Sequence, residues 1–188
     1  MPQARTWSEA EPRRFLSDTE TLAGFAPKLH WQPDQQAWTG ELPAWPFRRP
    51  RPPGLDELLP RGLVVTVAPP PVYPMVAPVL YPITPDPPIA VRTQQRWHVA
   101  GDGRLCLMKS PGQWDPREPL TNLLLRAIGW HVEYALMIRG LISTMTVNGI
   151  VEDDQHDALI ETAVNAPMLT YEQLAELTAD PAADPAGS

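Results

Sequence analysis

Residues 96–116 have the sequence RWHVAGDGRLCLMKSPGQWDP and contain Cys106, the single cysteine among the 188 residues of the chain. Two glycines precede this cysteine and a proline–glycine pair follows it, so the segment favours tight turns over a regular strand. Two interpretations of the thiol are open. A free cysteine between two leucines is typical of a small buried residue, which composition alone favours, whereas the glycines would also let another chain approach a reactive thiol closely.

The length and composition indicate one acidic domain. Hydrophobic residues make up 43% of the chain, which is enough for a core, and the formal net charge is -7. An acidic chain is a poor general binder of nucleic acid or of anionic membranes. One cysteine cannot form an internal disulfide, and the first residues lack the apolar core of a signal peptide, so we expect a cytoplasmic protein.

The first half of the chain predicts one helix followed by antiparallel strands. The spacing of apolar residues predicts a helix within 8–24. Alternating apolar residues around a polar turn predict a hairpin over 28–42, and β-branched residues predict a strand over 62–69. Prolines enclose a further short strand at 77–83, which we therefore expect at a sheet edge. The proline-rich residues 43–60 predict a loop, and residues 84–97 predict an irregular, extended segment.

From residue 118 onward the pattern becomes helical. Apolar residues recur with helical spacing from Leu120 to Ile138, and Gly140 is expected to end or bend that helix. Charged residues interrupt this apolar stretch, which predicts a buried or amphipathic helix rather than a membrane span. Further helices are predicted at 152–164 and 170–179.

The order of these elements predicts an α+β fold. One antiparallel sheet of about four strands carries an N-terminal helix and C-terminal helices. We expect a single domain over 1–178, with a core at about 8–140 and a helical extension at about 141–178. The residues 179–188, which are rich in proline, alanine and aspartate, predict a disordered tail.

A pattern of spaced residues surrounds the cysteine. In chain order it comprises Tyr73, Pro74, Pro78, Gly103, Leu105, Cys106, Leu107, Trp114 and Pro116. This order and spacing resemble the ubiquitin-conjugating enzyme family. In that family a Tyr-Pro and a further proline mark the strand before the active site, a glycine precedes an aliphatic-Cys-Leu sequence, and Trp-x-Pro follows and opens a helix. The resemblance covers about residues 62–135.

The resemblance implies a UBC-like fold and an acyltransferase of the ubiquitin-conjugating type. Cys106 would accept a ubiquitin-like protein as a thioester from an activating (adenylating) enzyme. It would then pass that protein to an amine, or a hydroxyl, of a target protein. This chemistry implies no cofactor. The four histidines and one cysteine lack the spacing of metal ligands, so we expect no metal site.

The resemblance also implies supporting roles for other residues. Structural support of the active-site loop would come from Gly103, Trp114, Pro116, Tyr73 and Pro74. In the family, basic residues of the N-terminal helix often contact the activating enzyme, and Arg13 and Arg14 match them here. The arginines of the proline-rich loop, Arg48, Arg49 and Arg51, either contact an acidic partner or are solvated surface charges.

The sequence departs from the family just before the cysteine. Where the family has His-Pro-Asn, this chain has Arg96-Trp97-His98, so His98 occupies the position of the asparagine, eight residues before Cys106. In the family that asparagine is associated with fixing the loop and with stabilising the oxyanion formed when an amine attacks the thioester. A histidine can donate a similar hydrogen bond and can also move a proton near neutral pH. The other interpretation is a loop histidine bonded to the backbone.

This substitution resembles the divergent bacterial branch of the family. Members of that branch are associated with compact gene clusters that also encode an activating enzyme, a ubiquitin-like protein and a protease. The resemblance therefore implies a bacterial protein with a role in antiphage defence.

A second departure concerns the acid that assists the attacking amine. The family usually has an acidic residue in the loop after the next helix, where it helps to deprotonate a lysine, and no acid of this chain aligns securely with it. The candidates are Glu118, Asp102, Glu152, Asp153 and Asp154. The run VEDDQHD is otherwise typical of a solvated helix start, whose acids favour the N-terminal end of the helix dipole.

Two other hypotheses remain open. The first is a non-catalytic module of the same fold that binds a ubiquitin-like protein or an assembly partner. Retention of Cys106 favours the carrier, whereas loss of the asparagine favours the module. The second is an unrelated α+β domain with a structural cysteine. His131 and Tyr134 lie on an apolar helix face, which predicts that they are packing residues.

Overall fold

The computed structural model describes residues 5–92, 94–108, 110–146 and 150–176. This part of the chain contains four strands and seven α-helices, which are α1 (Trp7–Ala10), α2 (Pro12–Phe25), β1 (Lys28–Gln32), β2 (Ala37–Glu41), α3 (Leu55–Leu58), β3 (Val64–Ala68), β4 (Val79–Thr84), α4 (Ile89–Arg92), α5 (Leu120–Met137), α6 (Asp157–Asn165) and α7 (Tyr171–Glu176). Two 3-10 turns, Gln95–Trp97 and Pro111–Gln113, lie before and after the cysteine. The fold is α+β.

The four strands form one antiparallel sheet in the order β1-β2-β3-β4. In one row that crosses all four strands, the paired residues are Trp31, Trp38, Val67 and Leu80. Trp38, Val67 and Leu80 are each at most 1% exposed. Directly opposed residues of an antiparallel pair face the same side, so this row belongs to the face that packs on the core. The predicted hairpin, the two further strands and the edge position of β4 are confirmed.

The N-terminal helix is confirmed, but it is interrupted at Glu11. The short helix α1 follows Thr6, whose N–H donates to the Glu9 carboxylate (2.9 Å). Pro12 then occupies the first turn of α2. Proline has no N–H to donate and its fixed φ suits a first helical turn, so it starts a second helix rather than extending the first.

Two segments expected to be irregular contain short helices. The proline-rich residues 43–60 include α3, which Gly54 precedes in the left-handed conformation (φ 80°). Residues 84–97, whose sequence predicts an extended segment, include α4 and a 3-10 turn. Helices of a single turn carry no sustained apolar periodicity, so the sequence pattern could not reveal them.

The helix α5 passes through the core and confirms the prediction for 120–138. Most of its side chains are buried, including His131 and Tyr134, which confirms their packing role. Gly140 adopts a positive φ of 69°, and its N–H donates to the Met137 carbonyl (2.9 Å). This arrangement is a left-handed helix end of the kind that glycine favours. In the described residues, no helix combines the length and the apolarity needed to span a bilayer.

The C-terminal extension packs on the rest of the molecule through α6, which contacts α3 and α5. Arg49 pairs with Asp157 at the start of α6 through two contacts, Nε–Oδ2 (2.7 Å) and Nη2–Oδ1 (3.0 Å). Its guanidinium also lies over the Trp45 and Phe47 rings. Arg49 is therefore an internal tether and not a solvated surface charge. The predicted tail at 179–188 lies outside the described residues.

Candidate active site around Cys106

Cys106 lies on a short hairpin formed by residues 98–106. At its tip the Gly103 N–H donates to the Ala100 carbonyl (2.8 Å), and the Ala100 N–H donates to the Arg104 carbonyl (2.8 Å). Gly103 has φ 90°, in the left-handed region that glycine adopts without steric penalty. A Cβ at this position would also lie 3.1 Å from Arg92 Nη1. Both the turn geometry and the close guanidinium therefore favour glycine here.

The hairpin directs the cysteine outward. Val99 and Leu105 pair across it and are both buried, and the Leu105 N–H donates to the Leu80 carbonyl of β4 (2.8 Å). Successive residues of an extended strand point to opposite sides, so burial of Leu105 leaves its neighbour Cys106 facing solvent. The thiol is exposed. The interpretation of Cys106 as a buried core residue is therefore wrong.

The surroundings of Cys106 hold its thiol in the protonated form. Nearby protein atoms displace part of its hydration, which raises the pKa of Cys106 above the ordinary value. The Arg104 guanidinium opposes this increase in the pKa, and the Asp102 carboxylate adds to it. These two charges lie 3.7 Å apart, measured from Arg104 Nε to Asp102 Oδ1. The free protein therefore presents an accessible thiol, with little thiolate at neutral pH.

His98 lies directly opposite Cys106 in the hairpin. Its carbonyl accepts a hydrogen bond from the Cys106 N–H (2.7 Å), and its own N–H donates to the Gln95 carbonyl (3.0 Å). His98 has φ 50° and ψ 38°, a left-handed conformation in which histidine and asparagine are both enriched among non-glycine residues. Its side chain is half-buried, and desolvation lowers its pKa. The imidazole is therefore neutral at pH 7, with one nitrogen that donates and one that accepts.

The turn before His98 is anchored to α5. Trp97 is 1% exposed, and its carbonyl accepts from Trp130 Nε1 (2.8 Å). The Trp97 and Tyr134 ring centroids lie 5.6 Å apart. Trp97 thus anchors the backbone just before His98 to the core helix.

The segment after Cys106 is held by side chains from other elements. Trp114 is buried, and its Nε1 donates to the Pro74 carbonyl (2.6 Å). Its ring centroid lies 6.3 Å from that of Tyr73. Arg126 of α5 donates from Nη1 to the Leu107 carbonyl (3.4 Å).

Arg14 contacts the protein itself rather than facing solvent. Its Nε lies 2.9 and 2.8 Å from the two carboxylate oxygens of Asp18, and its two Nη atoms donate to the Pro116 carbonyl (2.5 Å) and the Glu118 carbonyl (2.9 Å). The neighbouring Arg13 is exposed. Of the two arginines matched to activating-enzyme contacts, Arg13 thus has its guanidinium at the surface. Sequence reasoning missed Asp18, although the four-residue spacing from Arg14 on a helix was a usable signal.

The five acids considered for amine deprotonation lie in three different places in the structure. Asp102 is the one whose charge acts on the Cys106 thiol. The Glu118 carboxylate accepts from Asn122 Nδ2 (3.1 Å) at the start of α5. The other three candidates are exposed residues that precede α6, namely Glu152, Asp153 and Asp154. Among the described residues, no group of histidine, cysteine and acidic side chains is arranged to hold a metal ion.

Sequence reasoning gave no role to Glu133, which is 1% exposed. Its Oε1 accepts from the Thr146 N–H (3.0 Å) and the Thr146 hydroxyl (2.7 Å), and lies 3.3 Å from His156 Nδ1. Desolvation raises the pKa of Glu133, while the contacts with Thr146 and His156 oppose the increase. The carboxylate joins α5 to the residues before α6 and lies in the core rather than in the Cys106 hairpin.

Comparisons of the chain with protein-family models, with curated proteins and with solved structures found no match. The functional assignment therefore rests on the residues and the geometry described above.

Proposed function

We propose that this chain is a ubiquitin-conjugating-type carrier that accepts a ubiquitin-like protein as a thioester on Cys106 and transfers it to an amine, or a hydroxyl, of a target. The observation that carries the proposal is the exposed thiol on a hairpin whose opposite residue is His98. Acyl transfer through a cysteine requires an accessible sulfur and a hydrogen-bond donor for the oxyanion, and His98, paired with Cys106 across the hairpin, is the candidate donor.

The order of elements supports a UBC-like fold as part of this proposal. A helix precedes a four-stranded antiparallel sheet, the cysteine hairpin hydrogen-bonds to β4, and the long helix α5 follows. Trp114 and Pro116 lie between the cysteine and α5, where the resemblance expects a Trp-x-Pro. Fold by itself does not specify chemistry, so the proposed activity depends on Cys106 and its neighbours.

In the loading step, the Cys106 sulfur attacks the thioester carbonyl that links the ubiquitin-like protein to its activating enzyme. A new carbon–sulfur bond forms to Cys106, and the bond to the activating enzyme's cysteine breaks. The proton of the Cys106 thiol passes to solvent, and the departing thiolate takes one up. One thioester replaces another, so the step is close to neutral in energy and the acyl group stays activated.

The raised pKa of Cys106 suits a carrier. A thiol with a high pKa forms less thiolate, but each thiolate is a stronger nucleophile. The same high pKa makes the sulfur a poorer leaving group, because leaving thiols of lower pKa depart faster. The thioester on Cys106 would therefore break more slowly, whether water or an amine attacks it.

In the discharge step, a neutral amine of the target attacks the thioester carbonyl. The carbon–nitrogen bond forms, the nitrogen loses a proton, and the carbon–sulfur bond breaks to release the Cys106 thiolate, which is then protonated. The neutral imidazole of His98 donates an N–H to the oxyanion of the tetrahedral intermediate. Removing one such donor typically slows acyl transfer by about 10²–10³-fold. Asp102 is the candidate to receive the proton of the amine.

Intact-mass measurement tests the proposal directly. Purified protein mixed with its activating enzyme, ATP and the ubiquitin-like protein is expected to gain one adduct that a thiol reductant removes. Cys106→Ala is expected to gain none, and Cys106→Ser is expected to form an oxyester that resists the reductant. If the wild-type protein gains no adduct from an activating enzyme that is demonstrably loaded, the carrier function is wrong.

The alternative is a non-catalytic module of the same fold. The observation that favours it is that His98 occupies the position at which the family has asparagine. Such a module would bind the ubiquitin-like protein without forming an adduct, and Cys106→Ala would bind as tightly as wild type. Titration calorimetry beside the mass measurement distinguishes the two functions.

A further inference from the structure

We infer that Arg14 and Asp18 of α2 are positioning residues that hold the segment between Cys106 and α5, so that the N-terminal helix sets the geometry of the cysteine site. The inference deepens the proposed function and rests on it for the reaction that is measured. It assigns to Arg14 a role different from the partner contact that the sequence predicts.

The first observation is that the Arg14 guanidinium bonds to three separate groups. Its Nε contacts both oxygens of Asp18, and its Nη1 and Nη2 donate to the Pro116 and Glu118 carbonyls. These carbonyls lie just before α5 begins. The Arg14 and Asp18 side chains are 16% and 6% exposed, so water competes weakly for these charge-assisted hydrogen bonds.

The second observation is that Arg14 and Asp18 also contact Tyr73, which lies in the loop before β4. The Tyr73 hydroxyl donates to Asp18 Oδ2 (2.5 Å), and the Arg14 guanidinium lies 5.1 Å from the centre of the Tyr73 ring. The next carbonyl, that of Pro74, accepts from Trp114 Nε1. Hydrogen bonds, together with the backbone that joins Tyr73 to Pro74 and Trp114 to Pro116, thus form a closed circuit from α2 to the loop before β4, to Trp114, and back to α2.

Electrostatics keeps Arg14 charged and the Tyr73 hydroxyl protonated. Although burial disfavours its charge, the bond to Asp18 gives Arg14 a pKa above its ordinary value. Burial and the neighbouring Asp18 raise the pKa of Tyr73, so its hydroxyl keeps its proton and donates. Arg14 and Tyr73 therefore both keep their protons, and their role as donors, at neutral pH.

The third observation is that the cysteine segment has little structure of its own. Apart from the 3-10 turn Pro111–Gln113, its described residues between Cys106 and α5 form no helix or strand. Segments of this kind open locally at low free energy unless contacts from outside hold them. Arg14 supplies two of those contacts, and each is a hydrogen bond from a charged group to a backbone carbonyl.

Hydrogen exchange tests the positioning without any partner. In Arg14→Gln the amides of 110–118 are expected to exchange about 10–100-fold faster, since charge-assisted hydrogen bonds are lost, and alkylation of Cys106 should change in rate. Arg13→Gln, which alters the exposed neighbour, should exchange like wild type. Ile160→Val, which destabilises the distant helix α6, is the control for a general loss of stability. Unchanged exchange at 110–118 in Arg14→Gln would overturn the inference.

The kinetics of the reaction provide a second test. A residue that positions the segment and a residue that contacts the activating enzyme would change different kinetic constants. If Arg14 is a positioning residue, Arg14→Gln should slow discharge of preloaded protein to lysine, while the KM for the activating enzyme stays within about twofold of wild type. Arg14→Lys should remain slow, because one ammonium cannot replace the planar fork that reaches Asp18 and two carbonyls. A raised KM with normal discharge would overturn the inference. If wild type forms no thioester, the proposed function fails, and the exchange measurement still decides this inference.

Discussion

The helix α5 and the segment of residues 98–119 are neighbours in the chain, but different forces hold them. The helix makes its own backbone hydrogen bonds and buries most of its side chains, among them Leu124 and Ile128. The segment depends on groups from elsewhere, including the Trp114 indole that reaches the Pro74 carbonyl and the Arg14 guanidinium. Burial of apolar side chains explains most of the position of the helix, whereas the segment depends mainly on specific polar partners.

This difference separates stability from chemistry within one molecule. Substitutions of buried apolar residues of α5, such as Leu124 and Ile128, should mainly change the free energy of unfolding, because these side chains lie in the core. Substitutions of Cys106 and His98 in the hairpin should change the reaction more than the stability, because Cys106 is exposed and His98 is only half-buried. Three substitutions test whether the two regions are as separate as this comparison states.

The largest effect is expected at His98, and it should fall on the reaction. His98→Ala is expected to slow single-turnover discharge to lysine by one to three orders of magnitude, from the roughly 2.7–4 kcal/mol of a lost oxyanion donor with some compensation by water. Formation of the thioester should remain nearly intact. His98→Asn should recover much of the rate, because its amide N–H donates in the same direction and asparagine tolerates the left-handed backbone.

His98→Gly is the control for the backbone at this position. Glycine keeps the left-handed conformation without strain and removes the imidazole, so it should discharge as slowly as His98→Ala. If both variants lose loading and discharge equally and melt several degrees lower, the histidine holds the loop together and does not stabilise charge. If discharge is normal in all three variants, His98 has no chemical role and Asp102 or Glu118 becomes the next candidate.

The next effect is expected at His131, and it should fall on stability alone. Burial lowers the pKa of His131 from 6.5 to about 4. The unfolded chain therefore binds a proton at a higher pH than the folded protein, so this contribution to stability is complete above pH 6.5 and is lost as the pH falls toward 4. It amounts to about 3 kcal/mol. His131→Leu should remove that part of the acid sensitivity.

Urea unfolding at pH 7, 5.5 and 4.5 measures this contribution as a difference between wild type and His131→Leu, so that other titrating groups cancel. The buried Glu133 has a raised pKa and acts in the opposite direction, since its contribution to stability is lost as the pH rises. Equal acid sensitivity in both proteins would show that His131 is not the group responsible. A changed discharge rate at pH 7 would show that the core and the cysteine site are coupled.

The smallest effect is expected at the tip of the hairpin. Gly103→Ala should lower the free energy of unfolding by about 1–2 kcal/mol, because alanine is strained at φ 90° and its Cβ would press on Arg92. The matched control is Gly101→Ala, whose Cβ would meet no atom within 4 Å, and which should change stability by less than about 0.5 kcal/mol. Thermal melting of both variants checks this, and equal effects would mean that the turn at 100–103 is not formed as described.

The sequence pattern was sufficient for the regular elements and insufficient for the short ones. Apolar residues at helical spacing identified α5, and alternation identified the hairpin of β1 and β2, because each period follows from the geometry of its backbone. The helices α3 and α4 were missed because four residues show no period. The internal bonds of Arg14 and Arg49 were also missed, since both arginines bond to residues about a hundred positions away.

By itself the sequence determined the α+β layout, the long core helix and the position of Cys106 within a glycine-containing turn, because backbone periodicity and turn chemistry are local. Only the tertiary structure decided that this thiol is exposed, that His98 lies opposite it in a left-handed conformation, and that Arg14 anchors the residues beyond it. Exposure, a cross-strand partner and a side chain's hydrogen bonds all depend on residues distant in the chain. No local pattern can specify them, and they come into being only when the sheet and helices pack together.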